Sequence, residues 1–329
     1  MKKLICCLLA LILAVGFVTP AFAAETTAQP YERVFIIGID GAGRFIKDAN
    51  TPNFDRIFAD GAVDYTARAE IETTSAQNWG AILTGVSYSR HGLKNGIMES
   101  VERSSDTKYP TVFTYARRAF PNAELASFVN WEAINIGLIE NDINVNKQRP
   151  GDDEAVTSAI CSYFDEGNKP TLFFTQLDSV DHVGHEKGSK SAEYIAQIET
   201  ADGYLGRIYD AAERNGLLEN ALFIVVADHG HKSTGGHGGL TMRETNVTLA
   251  LSGKGVVKGS SLDKIARNRD VAAIVLYALG IERPDYMTSR IPANLFEGVK
   301  GETRPFRNDP LDFILSGLSW IITLITKPF

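Results

Sequence analysis

The chain has 329 residues, a formal net charge of −7 and 44% hydrophobic residues, with six histidines and three cysteines. That length and apolar content suffice for one large core, and the acidic balance excludes a basic face of the kind nonspecific nucleic-acid binding requires. Cys6 and Cys7 sit in the first residues of the chain, so beyond them only Cys161 remains and no internal disulfide is available.

Residues 1–23 read as a signal peptide: basic "MKK", an apolar run, then the small-x-small ending "AFA". This predicts an exported protein, secreted or held at the cell surface or in the periplasm. A polar, flexible lead-in is expected over 24–32 and a catalytic domain over 33–300. Five apolar, β-branched runs then predict buried parallel strands: 33–40, 124–131, 171–178, 221–228 and 246–253. Helical patterns lie between them, in "TPNFDRIFADG", "YPTVFTYARRAF", the long run from Ser191 to Gly216, and "LDKIARNRDVAAIVLYALG". "SAQNWGAIL" predicts a further helix with Ser75 as its N-cap. The alternation predicts an α/β fold, a mostly parallel central sheet with helices on both faces. A turn-rich linker follows over 301–310. The segment 311–329 predicts an apolar, amphipathic helix that docks on the domain, lies in a membrane interface or forms a short anchor.

Five of the six histidines fall in two short windows, "DSVDHVGHEKG" and "ADHGHKSTGGHGG". Three predicted strands end in Asp40, Asp178 and Asp228. Ligands of open α/β sheets bind outside the carboxyl ends of the strands, so these acids and histidines should converge on one edge. Carboxylates and imidazoles gathered there call for a cation. Mixed Asp/His ligation suits zinc, with manganese or iron as the other options. Asp228 and His229 are adjacent, Asp181 and His185 are four apart, and His237 follows a glycine-rich loop that lets the chain swing back. A hydroxyl at a helix N-terminus, as at Ser75, also sits where a phosphate is welcome.

Together, "FIIGIDGAG", "TTSAQNWGAILTG", "DSVDHVGHEKG" and "VVADHGHKSTGGHGG" resemble the alkaline phosphatase superfamily, most closely its type I phosphodiesterase/nucleotide pyrophosphatase group. The resemblance spans roughly residues 33–283. It implies two divalent metal ions, one held by Asp181, His185 and His237 and the other by Asp40, Asp228 and His229. It implies Ser75 as the nucleophile that forms a phosphoserine, and Asn78 as a contact to a phosphate oxygen. The group usually carries Thr where Ser75 stands. Trp79 occupies the position at which a sulfatase needs Arg, which argues against sulfatase chemistry. Trp79 beside the site is expected to stack on a base or sugar. Asp178 is expected to orient His185, and His182 and His231 to lie around the ligands or in solvent. The expected function is hydrolysis of phosphodiester or pyrophosphate bonds in a small phosphate-ester substrate. A phosphomonoesterase and a phosphotransferase are the alternatives, and the complete ligand set argues against a binding protein that has lost catalysis.

Overall fold

The computed structural model describes residues 30–259 and 266–302. The expected signal peptide, most of the lead-in, the linker beyond residue 302 and the C-terminal helix fall outside the described residues. Tyr31 is buried, its N–H donates to Ala278 O at 3.0 Å and its hydroxyl to Lys254 O at 2.5 Å.

Seven strands form one sheet: β1 (Arg33–Ile39), β2 (Ala62–Arg68), β3 (Leu125–Val129), β4 (Asn146–Gln148), β5 (Leu172–Leu177), β6 (Ala221–Val226) and β7 (Asn246–Ser252). Their order across the sheet is β2-β7-β6-β1-β5-β3-β4. β1, β3, β5 and β6 are buried almost end to end, which is why their sequences are continuous apolar runs with no polar alternation. β1 lies between β5 and β6 and pairs in parallel with both. Phe35 packs there against Phe164, Phe173 and Phe223, at the centre of the core.

The 246–253 strand was expected to be parallel and is not: β7 runs antiparallel to β6 and to β2. The physical reason lies in the connection. A parallel return needs a crossover unit, usually a helix. The segment between β6 and β7 is instead a glycine-rich loop with one short helical turn, Met242–Thr245. β2 and β4 were absent from the sequence reading. β2 is a half-exposed edge strand and β4 has only three residues, so neither carries a strong apolar signal.

Helices cover both faces. α1 (Pro52–Phe58), α4 (Asp153–Asp165), α5 (Ser179–Lys187) and α6 (Ala192–Arg214) pack together on one side. α2 (Ser75–Thr84), α3 (Val112–Ala119) and α7 (Asp270–Ala278) pack together on the other. α4 and α6 carry side-chain caps, Asp152 accepting from Ala155 N and Ser191 accepting from Tyr194 N. α2 differs from expectation by one residue. Thr74 is the N-cap and Ser75 the first helical residue.

Candidate metal centre and nucleophile

Register brings the acidic strand ends together. Ile39 of β1 lies opposite Leu177 of β5, and Gly38 lies opposite Val226 of β6, so the residues that follow each strand meet at one edge. Asp40, Asp228, α5 with Asp181 and His185, and the loop carrying His229 to His237 all start from that edge. α5 is anchored by Asp153, whose buried carboxylate accepts from Asp178 N at 2.8 Å, Ser179 N at 3.0 Å and Asn130 Nδ2 at 2.7 Å. A negative charge at the first turn of a helix is favourable.

Asp40 and Asp228 each divide their oxygens between scaffold and centre. Asp40 Oδ2 accepts from Trp79 Nε1 at 2.8 Å and Gln176 Nε2 at 3.0 Å, while its buried Oδ1 has no hydrogen-bond partner. Asp228 Oδ1 accepts from the N–H of Gly41 at 3.0 Å and of His229 at 2.8 Å, while its buried Oδ2 has none. The two unpartnered oxygens face His229 Nε2, at 3.6 Å and 3.2 Å. His229 Nδ1–H points to Gly230 O at 3.3 Å, which leaves Nε2 for the centre.

The neighbouring group is Asp181, His185 and His237. His185 Nε2 lies 3.3 Å from Asp181 Oδ2, and His237 Nε2 lies 3.5 Å from Asp181 Oδ1. The two histidine Nε2 atoms are 2.9 Å apart. His237 Nδ1–H donates to Thr73 O at 2.6 Å, which fixes its tautomer. The loop behaves as its glycines suggest: Gly235, Gly236 and Gly238 all take positive φ and return the chain to the edge. Glu244 closes it, accepting from Gly239 N at 2.7 Å.

Among the described residues three groups have ligand atoms within 4.8 Å of one another: Asp40/Asp228/His229 and Asp181/His185/His237, which together are the six residues expected to hold ions, and Asp181/His229/His231, which overlaps both. The electrostatics fit a cation. Burial, then mutual repulsion, pushes Asp40 well above the usual carboxylate range, and burial does the same to Asp228. Burial drives His229 and His237 down. Asp181 moves the other way: burial alone would raise it, but His185 and His231 hold it well below. Bare, Asp40 and Asp228 favour the neutral acid and His229 and His237 the neutral imidazole, while Asp181 stays charged and, by its hydrogen bond, raises His185. A divalent ion would satisfy the orphaned carboxylate oxygens and keep the imidazoles neutral as ligands.

Ser75 sits at this centre, its Oγ 3.2 Å from His229 Nε2. Thr74, the neighbouring hydroxyl, turns away to Gln77 Oε1. Three expectations are corrected. Asn78 is fully buried and its amide is spent on the protein: Oδ1 accepts from Glu70 N at 2.7 Å and Asn268 Nδ2 at 2.8 Å, and Nδ2 donates to Thr74 O at 2.9 Å. It braces α2 and has no face left for a phosphate. Trp79 is also fully buried and holds Asp40, so it offers no stacking surface. Asp178 accepts from Gln176 Nε2 at 2.6 Å, so it ties to the Asp40 side and does not orient His185. His182 is exposed beside Glu186, as expected of a solvated histidine. His231 is fully buried.

One residue was missed. Asn95 stands at the start of a short helical turn, and its Oδ1 accepts from Ala76 N at 3.1 Å, directly beside Ser75. Its Nδ2 is left to donate elsewhere. Nothing in the run "HGLKNGIM" distinguishes this asparagine from an ordinary turn residue, so the signal was tertiary.

The sequence profile of the type I phosphodiesterase / nucleotide pyrophosphatase family matches residues 34–302. A "GPI ethanolamine phosphate transferase 2" from Yarrowia lipolytica is 21% identical over 235 residues, covering 69% of this chain and 27% of that protein. One from Aspergillus oryzae is 34% identical over 79 residues, covering 24% of this chain and 9% of that protein. The chain thus spans less than a third of these curated relatives. Among solved structures, murine ectonucleotide pyrophosphatase / phosphodiesterase 5, an inactive form in complex with AMP, matches with a TM-score of 0.63 at 14% identity, covering 77% of this chain and 96% of that one. A 2-O GAG sulfatase matches with a TM-score of 0.64 at 12% identity, covering 79% and 73%.

Proposed function

The chain belongs to the type I phosphodiesterase / nucleotide pyrophosphatase family, and from that premise we propose that it cleaves phosphodiester or pyrophosphate bonds of a small phosphate-ester substrate, using two divalent ions and Ser75 as nucleophile. The observation that carries this reading is the meeting of both ligand sets with one serine hydroxyl, 3.2 Å from His229 Nε2. Asp40, Asp228 and His229 would hold one ion, and Asp181, His185 and His237 the other. The ions, zinc by ligand type with manganese as the second option, supply Lewis acidity against the charge of the transferring phosphoryl group.

The residues' own parts follow from their placement. Ser75 opens α2, so the positive end of the helix dipole lies at the phosphoryl oxygens as Oγ bonds to phosphorus and the bond to the departing oxygen breaks. Asn95 holds Ala76 N with its carbonyl oxygen, and its amide N–H groups would donate to a non-bridging oxygen. Trp79, Gln176 and Gly41 keep Asp40 and Asp228 in place by direct hydrogen bonds. Release of the phosphoserine to water gives hydrolysis.

A second reading is release to an alcohol, which makes the enzyme a phosphotransferase. It is favoured by relatives whose names describe ethanolamine phosphate transfer. Export is part of the proposal and rests on the leader-like residues 1–23.

The test is metal analysis of the purified protein, with rates on p-nitrophenyl phosphate and bis-p-nitrophenyl phosphate in the presence and absence of added alcohol. Two ions per chain and a faster diester rate are expected. A faster monoester rate would make the enzyme a phosphomonoesterase. Alcohol-dependent capture of the phosphoryl group would select the transferase. Full activity after exhaustive chelation would refute the two-ion reading.

A further inference from the structure

His231 is the one buried histidine of the cluster that the two ligand sets leave unused. Its side chain has no exposure, and neither ring nitrogen has a hydrogen-bond partner. Nε2 nevertheless lies 3.0 Å from Asp181 Oδ1, itself a buried oxygen without a hydrogen-bond partner. Two orphaned polar atoms at that distance are each costly to bury unpaired.

The ring sits where two glycines leave room for it. A Cβ on Gly184 would stand 2.4 Å from its Nε2, and one on Gly41 would stand 2.6 Å from the same atom. Both glycines therefore open a slot that the imidazole fills. Tyr194 lies edge-on to it at 5.8 Å and donates its hydroxyl to Gly41 O at 2.6 Å. On the backbone side, Ser189 Oγ donates to His231 O at 2.7 Å.

The other carboxylates of the centre explain what the slot is for. Asp40 and Asp228 each have one oxygen pinned by N–H donors of the scaffold, which aims the second oxygen at the centre. Asp181 has no such scaffold donor among the described residues. Its contacts are His185 at Oδ2, and His231, His237 and His229 at Oδ1. Of these four, only His231 lies outside both proposed ligand sets.

We propose that His231 is a positioning residue of the centre: its Nε2–H holds Asp181 Oδ1, so that Asp181 presents Oδ2 to the ion shared with His185 and His237. The inference rests on the two-ion reading above. Partners that orient a ligating carboxylate are typically worth about 10–100-fold in metal affinity. Because the contact touches one ligand set, the loss falls on one ion.

The experiment uses the full chain, stripped with chelator and titrated with Co2+ against a chromophoric competitor, with the visible cobalt spectrum recorded at each equivalent. His231→Ala is expected to weaken one of two binding steps by about 10–100-fold and leave the other step and its spectrum as in the wild type. His231→Gln, which can return an N–H toward Asp181, is expected to recover most of that loss. Gly184→Ala, which pushes the ring from its slot, is expected to weaken the same step and serves if His231→Ala does not fold. Unchanged binding of both ions in His231→Ala and Gly184→Ala would reduce His231 to a space filler and overturn the proposal. A cobalt spectrum that loses a nitrogen ligand in both His231 variants would overturn it in favour of direct ligation. A wild-type chain that binds no Co2+ would instead sink the two-ion reading itself.

Discussion

Replacing Ser75 by Ala separates chemistry from structure more sharply than any other single change at this site. Ser75 is buried, and its Oγ makes its contact to His229 Nε2 at 3.2 Å. It is the first residue of α2 and not the N-cap, so the substitution removes no cap, and alanine is the better helix former by roughly half a kcal/mol. Stability should therefore change by less than about 1 kcal/mol. All six side chains proposed to hold the ions remain, so metal content should not change. Turnover should fall by roughly 10³- to 10⁶-fold, the range expected when a nucleophile is deleted, which is about 4–8 kcal/mol of barrier. Thr74→Ala should cost less than about tenfold, because that hydroxyl faces Gln77. The assay is steady-state turnover of a chromogenic diester, with thermal midpoint and metal content measured on the same preparations. An acid quench with a labelled substrate should then find phosphate on the peptide that contains Ser75. A Ser75→Ala enzyme within tenfold of wild type, or label on Thr74, would refute the assignment.

Three other outcomes follow from particular contacts. Asn95→Ala should lower turnover by about 10²–10³-fold with both ions retained, because the donor proposed for a phosphoryl oxygen acts in the transition state; equal loss of metal and rate would instead make it structural. Asp153→Ala removes three hydrogen bonds, two from the start of α5 and one from Asn130 at the end of β3, and should lower unfolding free energy by about 2–4 kcal/mol in urea titrations; a loss below about 0.5 kcal/mol would show that α5 is held by packing alone. His91 is half-buried with Nε2–H donating to Gln77 O and Nδ1 accepting from Leu93 N, and desolvation pushes its pKa down to about 3. A histidine whose folded pKa is depressed contributes stability that is whole above its unfolded value near 6.5 and falls as pH drops toward 3, at about 1.4 kcal/mol per pH unit. In His91→Asn, urea titrations of the chelator-treated protein should show a shallower acid slope by that amount, and an identical slope would mean that His91 charges freely in the fold.

Much of the centre was legible in the sequence. Aspartates that close apolar strands, at Asp40 and Asp228, mark the carboxyl edge of a sheet before any coordinates exist, because that edge is where a parallel sheet leaves its chain ends open. Asp181 and His185, four apart, fall on one face of a helix, and the glycines around His237 permit the return of the loop. What sequence spacing left undecided was the direction in which a side chain faces. Ser75, Asn78 and Trp79 stand three and four apart on α2 and share a face. Only the packing of α2 on the sheet decides that Asn78 and Trp79 are consumed in bracing Glu70 and Asp40 while Ser75 reaches the centre. The direction of β7 was set by a connection with no crossover helix, which a reading of strand composition alone does not weigh. Asn95, far from Ser75 along the chain, looks like a turn residue in a one-dimensional reading, and the spacing of His231 between two ligands left open whether it lies around the ligands or in solvent. The sequence by itself determined the sheet's core strands, the edge where the acids gather and the six residues that the resemblance names as ion ligands, because hydrophobic runs and their terminating residues are local properties. Which neighbours complete that centre was decided only by the tertiary structure, because a hydrogen bond to a ligand depends on distances and slots that chain positions remote from one another create together.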